Sequence, residues 1–254
     1  MAEVRAIIFD LGGTLLEFPD WDEQVAERWG STYDQFRAMQ PADPPAREAF
    51  VQAMLAAEME HWRRVDTEHW SGPPSGLIRD GFARMGRHAG EATILAVLDA
   101  CARALNGWAR PFPDAAPTLQ LLRSQGYRLG LLSNTWWAAD WHNADLATHG
   151  LGRYLDELVY TSDLPHSKPH PEVFRTVAER LGVAQEHCLM IGDRPVDDIG
   201  GALGAGMRAV LKTNGRTPAI PAHVTPTAIV AQVAELPPLI ACFSRNDRNN
   251  RNDA

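Results

Sequence analysis

The second half of the chain alternates short apolar runs with amphipathic helical segments, and this alternation restricts the fold more than any other feature. An earlier run, Val4 to Phe9, has the length and composition of one more buried strand. After Pro111 the predicted strands are YRLGLLSN, DELVYTSDL, HCLMIGD, MRAVLKTN and a short last one within TPTAIVAQV. Because helical segments such as PEVFRTVAERLG join them, the sequence predicts an α/β fold, a Rossmann-like parallel sheet flanked by helices.

The region between the first strand and Pro111 has a helical pattern throughout. AREAFVQAMLAAEMEHWRRV and GEATILAVLDACARALNGW both carry apolar residues at helical spacing, and SGPPSG at 71–76 breaks the pattern between them. We therefore predict an inserted all-helical domain over residues 18–109, within a core domain formed by residues 1–17 and 110–243. The polar stretch SRNDRNNRNDA, residues 244–254, is predicted to be a disordered tail.

Composition excludes several classes of partner. The formal net charge of the 254 residues is -8, so there is no overall basic field to attract nucleic acid or an anionic membrane. The three cysteines are scattered, which fits neither a disulfide framework nor a zinc site. No stretch approaches the roughly 18 apolar residues of a membrane span. We expect a cytoplasmic protein, a monomer or a homodimer, with no nucleic-acid or membrane partner.

Polar residues stand where several predicted strands end. Asp10 follows the first strand, Ser133 and Asn134 end the second, and Asp193 ends the fourth. The carboxyl ends of parallel strands meet at one edge of the sheet, where α/β proteins bind ligands. A carboxylate there can act as a nucleophile, and carboxylates are suitable ligands for Mg²⁺. Lys168 is a further candidate for the site, because lysine occurs at only one other position, Lys212.

Four segments in this order resemble the haloacid dehalogenase (HAD) superfamily, whose members are mostly magnesium-dependent phosphatases. The segments are DLGGT at 10–14, LLSNT at 131–135, SKPHPEVF at 167–174 and IGDRPVDDIGGA at 191–202. The helical insertion resembles the C1-type cap of subfamily I. The resemblance implies hydrolysis of a small phosphorylated metabolite through an aspartyl-phosphate.

The resemblance also implies roles for individual residues. Asp10 would be the nucleophile, and Lys168 would supply a fixed positive charge to Asp10 and to the phosphate. The phosphate would be bound by Gly13, Ser133, Asn134 and Lys168. The Mg²⁺ ligands would be Asp10, the backbone carbonyl of Gly12, Asp193 and, directly or through water, Asp198. The family spacing selects Asp198 over Asp197, which would then only favour a helix N-terminus.

Gly12 departs from the family pattern, which typically has a second aspartate two residues after the nucleophile. That aspartate protonates the leaving oxygen, a contribution of about 10²–10⁴ in rate. A phosphatase could obtain the proton from the cap or solvent, or act on acyl or aryl phosphates, whose leaving groups need little protonation. Two alternatives stay open, a 2-haloacid dehalogenase in which Asp10 attacks carbon, and a non-catalytic protein that binds a phosphorylated ligand. The acid pair Asp193 and Asp198 favours phosphoryl chemistry.

Three tryptophans follow the second strand directly, at positions 136, 137 and 141. Aromatic residues there could fill the seam between core and cap or line a substrate cleft. Packing is the favoured interpretation, and Trp136 is the one most expected to face the cleft.

Overall fold

The computed structural model describes residues 3–19, 24–105, 107–217 and 219–243. The predicted tail, residues 244–254, lies outside them. Eight strands are described: β1 (Ala6–Phe9), β2 (Leu16–Glu17), β3 (Arg110–Pro111), β4 (Arg128–Ser133), β5 (Glu157–Tyr160), β6 (Cys188–Gly192), β7 (Arg208–Lys212) and β8 (Ala228–Val230). Six of them form a parallel sheet in the order β5-β4-β1-β6-β7-β8, and β2 pairs antiparallel with β3. This arrangement confirms the predicted fold class.

Both faces of the six-stranded sheet are buried, which explains why its strands are continuous apolar runs. Successive residues of β1 alternate between two cores. Ile7 and Phe9 belong to the cluster on one face, and Ala6 and Ile8 to the cluster on the other. All four are fully buried, so the strand is fixed in register and Asp10 must leave it at the sheet edge.

Eight helices are described, and four of them form the insertion. They are α1 (Val25–Ala38), α2 (Arg47–Glu68), α3 (Pro74–Arg84), α4 (Glu91–Leu105), α5 (Ala115–Ser124), α6 (Ala139–Thr148), α7 (Pro171–Leu181) and α8 (Gly201–Gly204). Helices α1 to α4 pack on a separate cluster that includes Trp29, Phe50 and Val97. The predicted domain limits stay a prediction. None of the helices in the described ranges is long and apolar enough to cross a membrane.

One predicted break differs from the structure, and two helices begin in unusual ways. The break predicted at 71–76 is shorter, because Pro74 already begins α3. Asp114 stands before α5 but makes no side-chain cap, and its Oδ2 instead accepts a hydrogen bond from the N–H of Ala234 at 2.9 Å. The helical segment after Asp193 begins with a π-helical stretch, Pro195–Gly200, before α8.

Candidate active site

Lys168 is the centre of the polar group at the carboxyl edge of the sheet. Its Nζ lies 2.6 Å from Oδ1 of Asp10 and 2.6 Å from Oδ1 of Asp198, and it donates to the carbonyl of Leu132 at 3.0 Å. Lys168 is 2% exposed and Asp198 is 0% exposed, so these are buried ion pairs. One ammonium therefore holds two carboxylates that are 188 residues apart along the chain.

The loop that carries Lys168 is held in turn by Asn134. The side chain of Asn134 accepts the N–H of Lys168 at 2.8 Å and donates to its carbonyl at 3.0 Å. This pair of hydrogen bonds ties the loop before α7 to the end of β4. Asn134 thus positions the backbone of Lys168, a side-chain role that the sequence did not reveal.

Three carboxylates converge beside the lysine. Oxygen atoms of Asp10, Asp193 and Asp198 all lie within 4.8 Å of one another. Burial, together with Asp198 and Asp193, raises the pKa of Asp10 to about 7, against the opposing effect of Lys168. Burial and Asp198 raise the pKa of Asp193 to about 6. Burial is the largest cause of both shifts, and a bound cation would oppose it.

This donor set fits a hard divalent cation such as Mg²⁺, which binds carboxylate oxygens. Asp198 is the least available ligand, because its Oδ1 accepts from Lys168 and its Oδ2 accepts the N–H of Arg194 at 2.9 Å. Asp10 and Asp193 are therefore better placed for direct coordination, and Asp198 for contact through water. Asp197 is turned away and pairs with the guanidinium of Arg194 at 3.3 Å.

Gly13 and Gly192 give the carboxylates their space. A methyl group on Gly13 would overlap the carboxylate of Asp193, and one on Gly192 would overlap that of Asp198. Gly13 also has φ +75°, a conformation that costs other L-residues roughly 1–2 kcal/mol. Its amide is engaged within the chain, because the N–H donates to the carbonyl of Leu16 at 2.8 Å. Gly13 therefore supplies room and a turn, and its predicted contact with phosphate stays a prediction.

Gly12 lies at the cleft beside Asp10, as the sequence predicted, and its carbonyl stays a predicted metal ligand. The position where its side chain would begin is 3.7 Å from Cε2 of Phe18, an ordinary van der Waals separation. Ser133, at the end of β4, is 5% exposed and also lines the cleft. Its role in binding phosphate likewise stays a prediction.

The cleft above these groups has a volume of about 740 Å³. Four aromatic side chains lie in its wall among the polar ones, namely Phe18, Trp62, Phe112 and Trp137. The prediction for the tryptophans was wrong in one respect. Trp136 is 2% exposed and packs inside the helical cluster, stacked on Trp29 with ring centres 5.6 Å apart, so Trp137 is the residue that faces the cleft.

Sequence reasoning missed several further residues that line the cleft, namely Glu17, Thr135, His142, Arg194, Asn214 and Arg216. Asn214 follows β7, so the strand-end argument would have found it had it been extended to that strand. Arg194 directly follows Asp193 in the fourth segment. No sequence pattern indicated His142, because it lies within helix α6 and not at a strand end. Its Nε2 lies 2.9 Å from Oγ1 of Thr135. Burial lowers the pKa of His142 to about 3, so it is neutral at pH 7.

A second group of possible metal ligands comes from the chain around Lys168, namely His166, His170 and Glu172. The two imidazole rings stack with centres 3.7 Å apart and planes 12° apart. Their in-plane lone pairs therefore run parallel and do not converge on one point. Nδ1 of His170 accepts the N–H of Glu172 at the start of α7, which indicates a helix cap.

Comparisons with known proteins agree with this geometry. The family model for haloacid dehalogenase-like hydrolases matches residues 4–206. Glyceraldehyde 3-phosphate phosphatase of Methanopyrus kandleri is 27% identical over 222 residues, 84% of this chain and 85% of that protein. The enzyme of the same name from Methanothermobacter thermautotrophicus is 36% identical over 115 residues, 45% of this chain, and the chain spans only 50% of its length.

A solved structure has the same fold. The 2-haloacid dehalogenase from Pseudomonas syringae pv. Tomato DC3000 superposes with a TM-score of 0.69 at 24% identity, over 94% of this chain and 99% of that one. Since the family match covers most of the chain, including the segments that carry Asp10, Lys168 and Asp193, this protein belongs to the haloacid dehalogenase-like hydrolases.

Proposed function

We propose that this protein is a Mg²⁺-dependent phosphatase that hydrolyses small phosphate monoesters through an aspartyl-phosphate on Asp10. The observation that carries the proposal is the cluster of Asp10, Asp193 and Asp198 around the buried ammonium of Lys168. A nucleophile that attacks carbon needs no metal, and then the third carboxylate would only add repulsion. The names of the two phosphatase relatives support the same reaction class.

Lys168 gives Asp10 its orientation. The ammonium holds Oδ1 of Asp10 at 2.6 Å, so the carboxylate cannot rotate freely and Oδ2 is left to approach phosphorus. The positive charge of Lys168 also offsets the negative charge that a phosphoryl group brings to the buried site. We expect the hydroxyl of Ser133, at the end of β4, to donate a hydrogen bond to a phosphoryl oxygen.

Asp10, Asp193 and the carbonyl of Gly12 would hold Mg²⁺, with Asp198 acting through water. When bound, the ion supplies positive charge to the phosphoryl oxygens and relieves the repulsion between the carboxylates. The phosphoryl group moves to Asp10 as the bond to the leaving oxygen breaks, and water then releases phosphate and restores the carboxylate.

The test is phosphate release from a panel of phosphorylated metabolites, with Mg²⁺ and with EDTA, for wild type, Asp10→Asn and Asp197→Asn. We expect Asp10→Asn to lower kcat/KM by at least about 10³-fold, because it removes the nucleophile. Asp197→Asn is the matched control, since Asp197 lies next to Asp198 but pairs with the exposed Arg194 guanidinium. It should change kcat/KM by only a few fold.

Two results would contradict the proposal. Metal-independent chloride release from a 2-haloacid would identify a dehalogenase. Tight binding of phosphorylated ligands, unchanged in Asp10→Asn and without turnover at any Mg²⁺ concentration, would identify a binding protein.

A further inference from the structure

We infer that the substrates are phosphate monoesters whose leaving group is a planar aromatic alcohol, and that Phe18 and Trp62 select them. This inference rests on the proposed function and names its substrate class. Two independent observations lead to it, the apolar surroundings of Gly12 and the aromatic wall of the cleft.

The space beside the nucleophile is apolar. Gly12 carries no side chain, and the direction in which one would project leads to Cε2 and Cδ2 of Phe18 at 3.7 and 3.8 Å. Phe18 is fixed by an edge-on contact with Trp137, with ring centres 5.8 Å apart. The part of the cleft next to Gly12 therefore offers a leaving group the face or edge of a ring.

Among the described residues that line the cleft, few can donate a proton to a leaving oxygen. The acids and the imidazole are Asp10, Glu17, Asp193 and His142. Asp10 is occupied by Lys168, Asp193 packs against the Gly13 turn, and buried His142 already bonds Thr135. Glu17 is exposed and is the one candidate left in this set.

The wall of the cleft is suited to a flat apolar group. Trp62 reaches the cleft from α2, so the helical insertion contributes directly to the wall. Trp62 and Phe18 provide rings of the kind that pack against another aromatic ring at 4.5–7 Å. Arg194 and Arg216 also line the cleft and supply positive charge for an anionic substrate. A phenyl or larger aryl group therefore has apolar contacts, while its phosphate meets the lysine and the carboxylate cluster.

The reaction needs no proton donor for such a substrate. An oxygen of Asp10 forms a bond to phosphorus, and the bond from phosphorus to the aryl oxygen breaks. The electron pair leaves with the aryl oxygen as a phenolate, which the ring stabilises and which takes a proton from water after release. Water then attacks the phosphorus of the aspartyl-phosphate, and hydrogen phosphate and the Asp10 carboxylate are formed. An alkyl ester would have to expel a far more basic alkoxide.

The experiment measures kcat/KM with Mg²⁺ for substituted phenyl phosphates of graded phenol acidity and for an alkyl phosphate. The variants are Gly12→Asp, Glu17→Gln, Trp62→Ala and Met59→Ala. Wild type should show a steep loss of rate as the leaving group becomes more basic. Gly12→Asp should raise the ratio of alkyl to aryl activity by up to about 10²-fold, because it introduces an acid beside the nucleophile, with its Cβ at an ordinary 3.7 Å from Phe18.

Trp62→Ala should raise KM for aryl substrates by about 2- to 10-fold and leave KM for the alkyl ester unchanged. Met59→Ala is the matched control on the same helix, since Met59 is 72% exposed and does not line the cleft. Both should leave the leaving-group dependence of kcat in place.

The outcomes separate this inference from the proposed function. No Mg²⁺-dependent release from any ester would overturn the proposed function itself. Release that is equally fast for alkyl and aryl esters would overturn only the inference, with the phosphatase activity intact. An alkyl activity that is lost in Glu17→Gln would also overturn it, because Glu17 would then be the missing acid.

Discussion

The cleft has a charged floor and an aromatic wall, which are built in different ways. The floor is the group Asp10, Lys168, Asp193 and Asp198, and the wall is the group Phe18, Trp62, Phe112 and Trp137. The floor consists of charged groups at the carboxyl edge of the sheet, where Asp10 and Asp198 are buried and each lies 2.6 Å from the ammonium of Lys168. The wall includes aromatic rings from loops and from the helical insertion, and two of them, Phe18 and Trp137, have ring centres 5.8 Å apart. Floor contacts are short and directional, so they need one geometry, whereas ring contacts allow small adjustments. The floor should therefore tolerate substitution much less than the wall.

The largest effect should come from Lys168→Met, which leaves two buried carboxylates without their cation. In EDTA at pH 8 we expect a loss of about 3–5 kcal/mol in the free energy of unfolding. The loss should shrink as the pH falls. Burial already raises the pKa of Asp10 to about 7, and loss of the ammonium, which lowers it, raises this pKa further above the unfolded value, so acid favours the folded state of the variant more than that of wild type.

Denaturant unfolding at pH 8 and pH 6 measures both effects. Lys168→Met/Asp198→Asn is the control, because it removes one of the two stranded charges and should recover part of the loss. A variant as stable as wild type at pH 8 would show that the floor is not held by its ion pairs.

A smaller effect is expected from Gly13→Ala, compared with Gly12→Ala beside it. The first places a methyl group at φ +75° and against the carboxylate of Asp193, whereas the second meets Phe18 at 3.7 Å. Gly13→Ala should lower the free energy of unfolding by at least about 1–2 kcal/mol and weaken Mg²⁺ binding. Gly12→Ala should change both only slightly.

Thermal unfolding and Mg²⁺ titration by calorimetry report the two quantities. Equal losses in the two alanine variants would indicate that the whole turn, and not the space for Asp193, matters.

The smallest effect should come from Glu58→Gln, a change behind the wall. Glu58 is buried, and its two oxygens accept the indole N–H groups of Trp29 at 2.7 Å and Trp136 at 3.1 Å. These bonds join α1 and α2 to the segment after β4. A glutamine can accept only one of them well, and it also removes the charge that faces the buried Arg28 guanidinium at 3.7 Å, so we expect a loss of about 1–2 kcal/mol with Mg²⁺ affinity unchanged. Denaturant unfolding with a parallel Mg²⁺ titration measures this, and a loss of metal affinity would mean that the wall and the floor are coupled.

The strands and the edge at which they end could be predicted because local pattern and local burial agree. Continuous apolar runs define β1, β4 and β6, and the polar residue after each run must lie at the carboxyl edge. The π-helical start after Arg194 could not be predicted, because it depends on Asp198 reaching the N–H of Arg194 and the Lys168 ammonium together.

The cleft wall was the least predictable part. The sequence does not distinguish between the three tryptophans of one short segment. In the structure Trp136 is enclosed by the helical cluster, whereas Trp137 faces the cleft. Which indole turns inward depends on Glu58 and Trp29, more than 75 residues earlier in the chain. Trp62 was similarly indistinguishable from its neighbours on α2.

The sequence by itself determined the α/β class, the order of the four segments and the gathering of Asp10, Ser133 and Asp193 at one edge. These follow from the two-residue period of strands and from the parallel direction that helical connections impose. Tertiary structure alone decided that Lys168 bridges Asp10 and Asp198. It also decided that the carboxylate of Asp193 fills the space where a side chain at Gly13 would lie, and that Phe18 lies close to Gly12. Such contacts join distant residues through side-chain geometry, which no local pattern encodes.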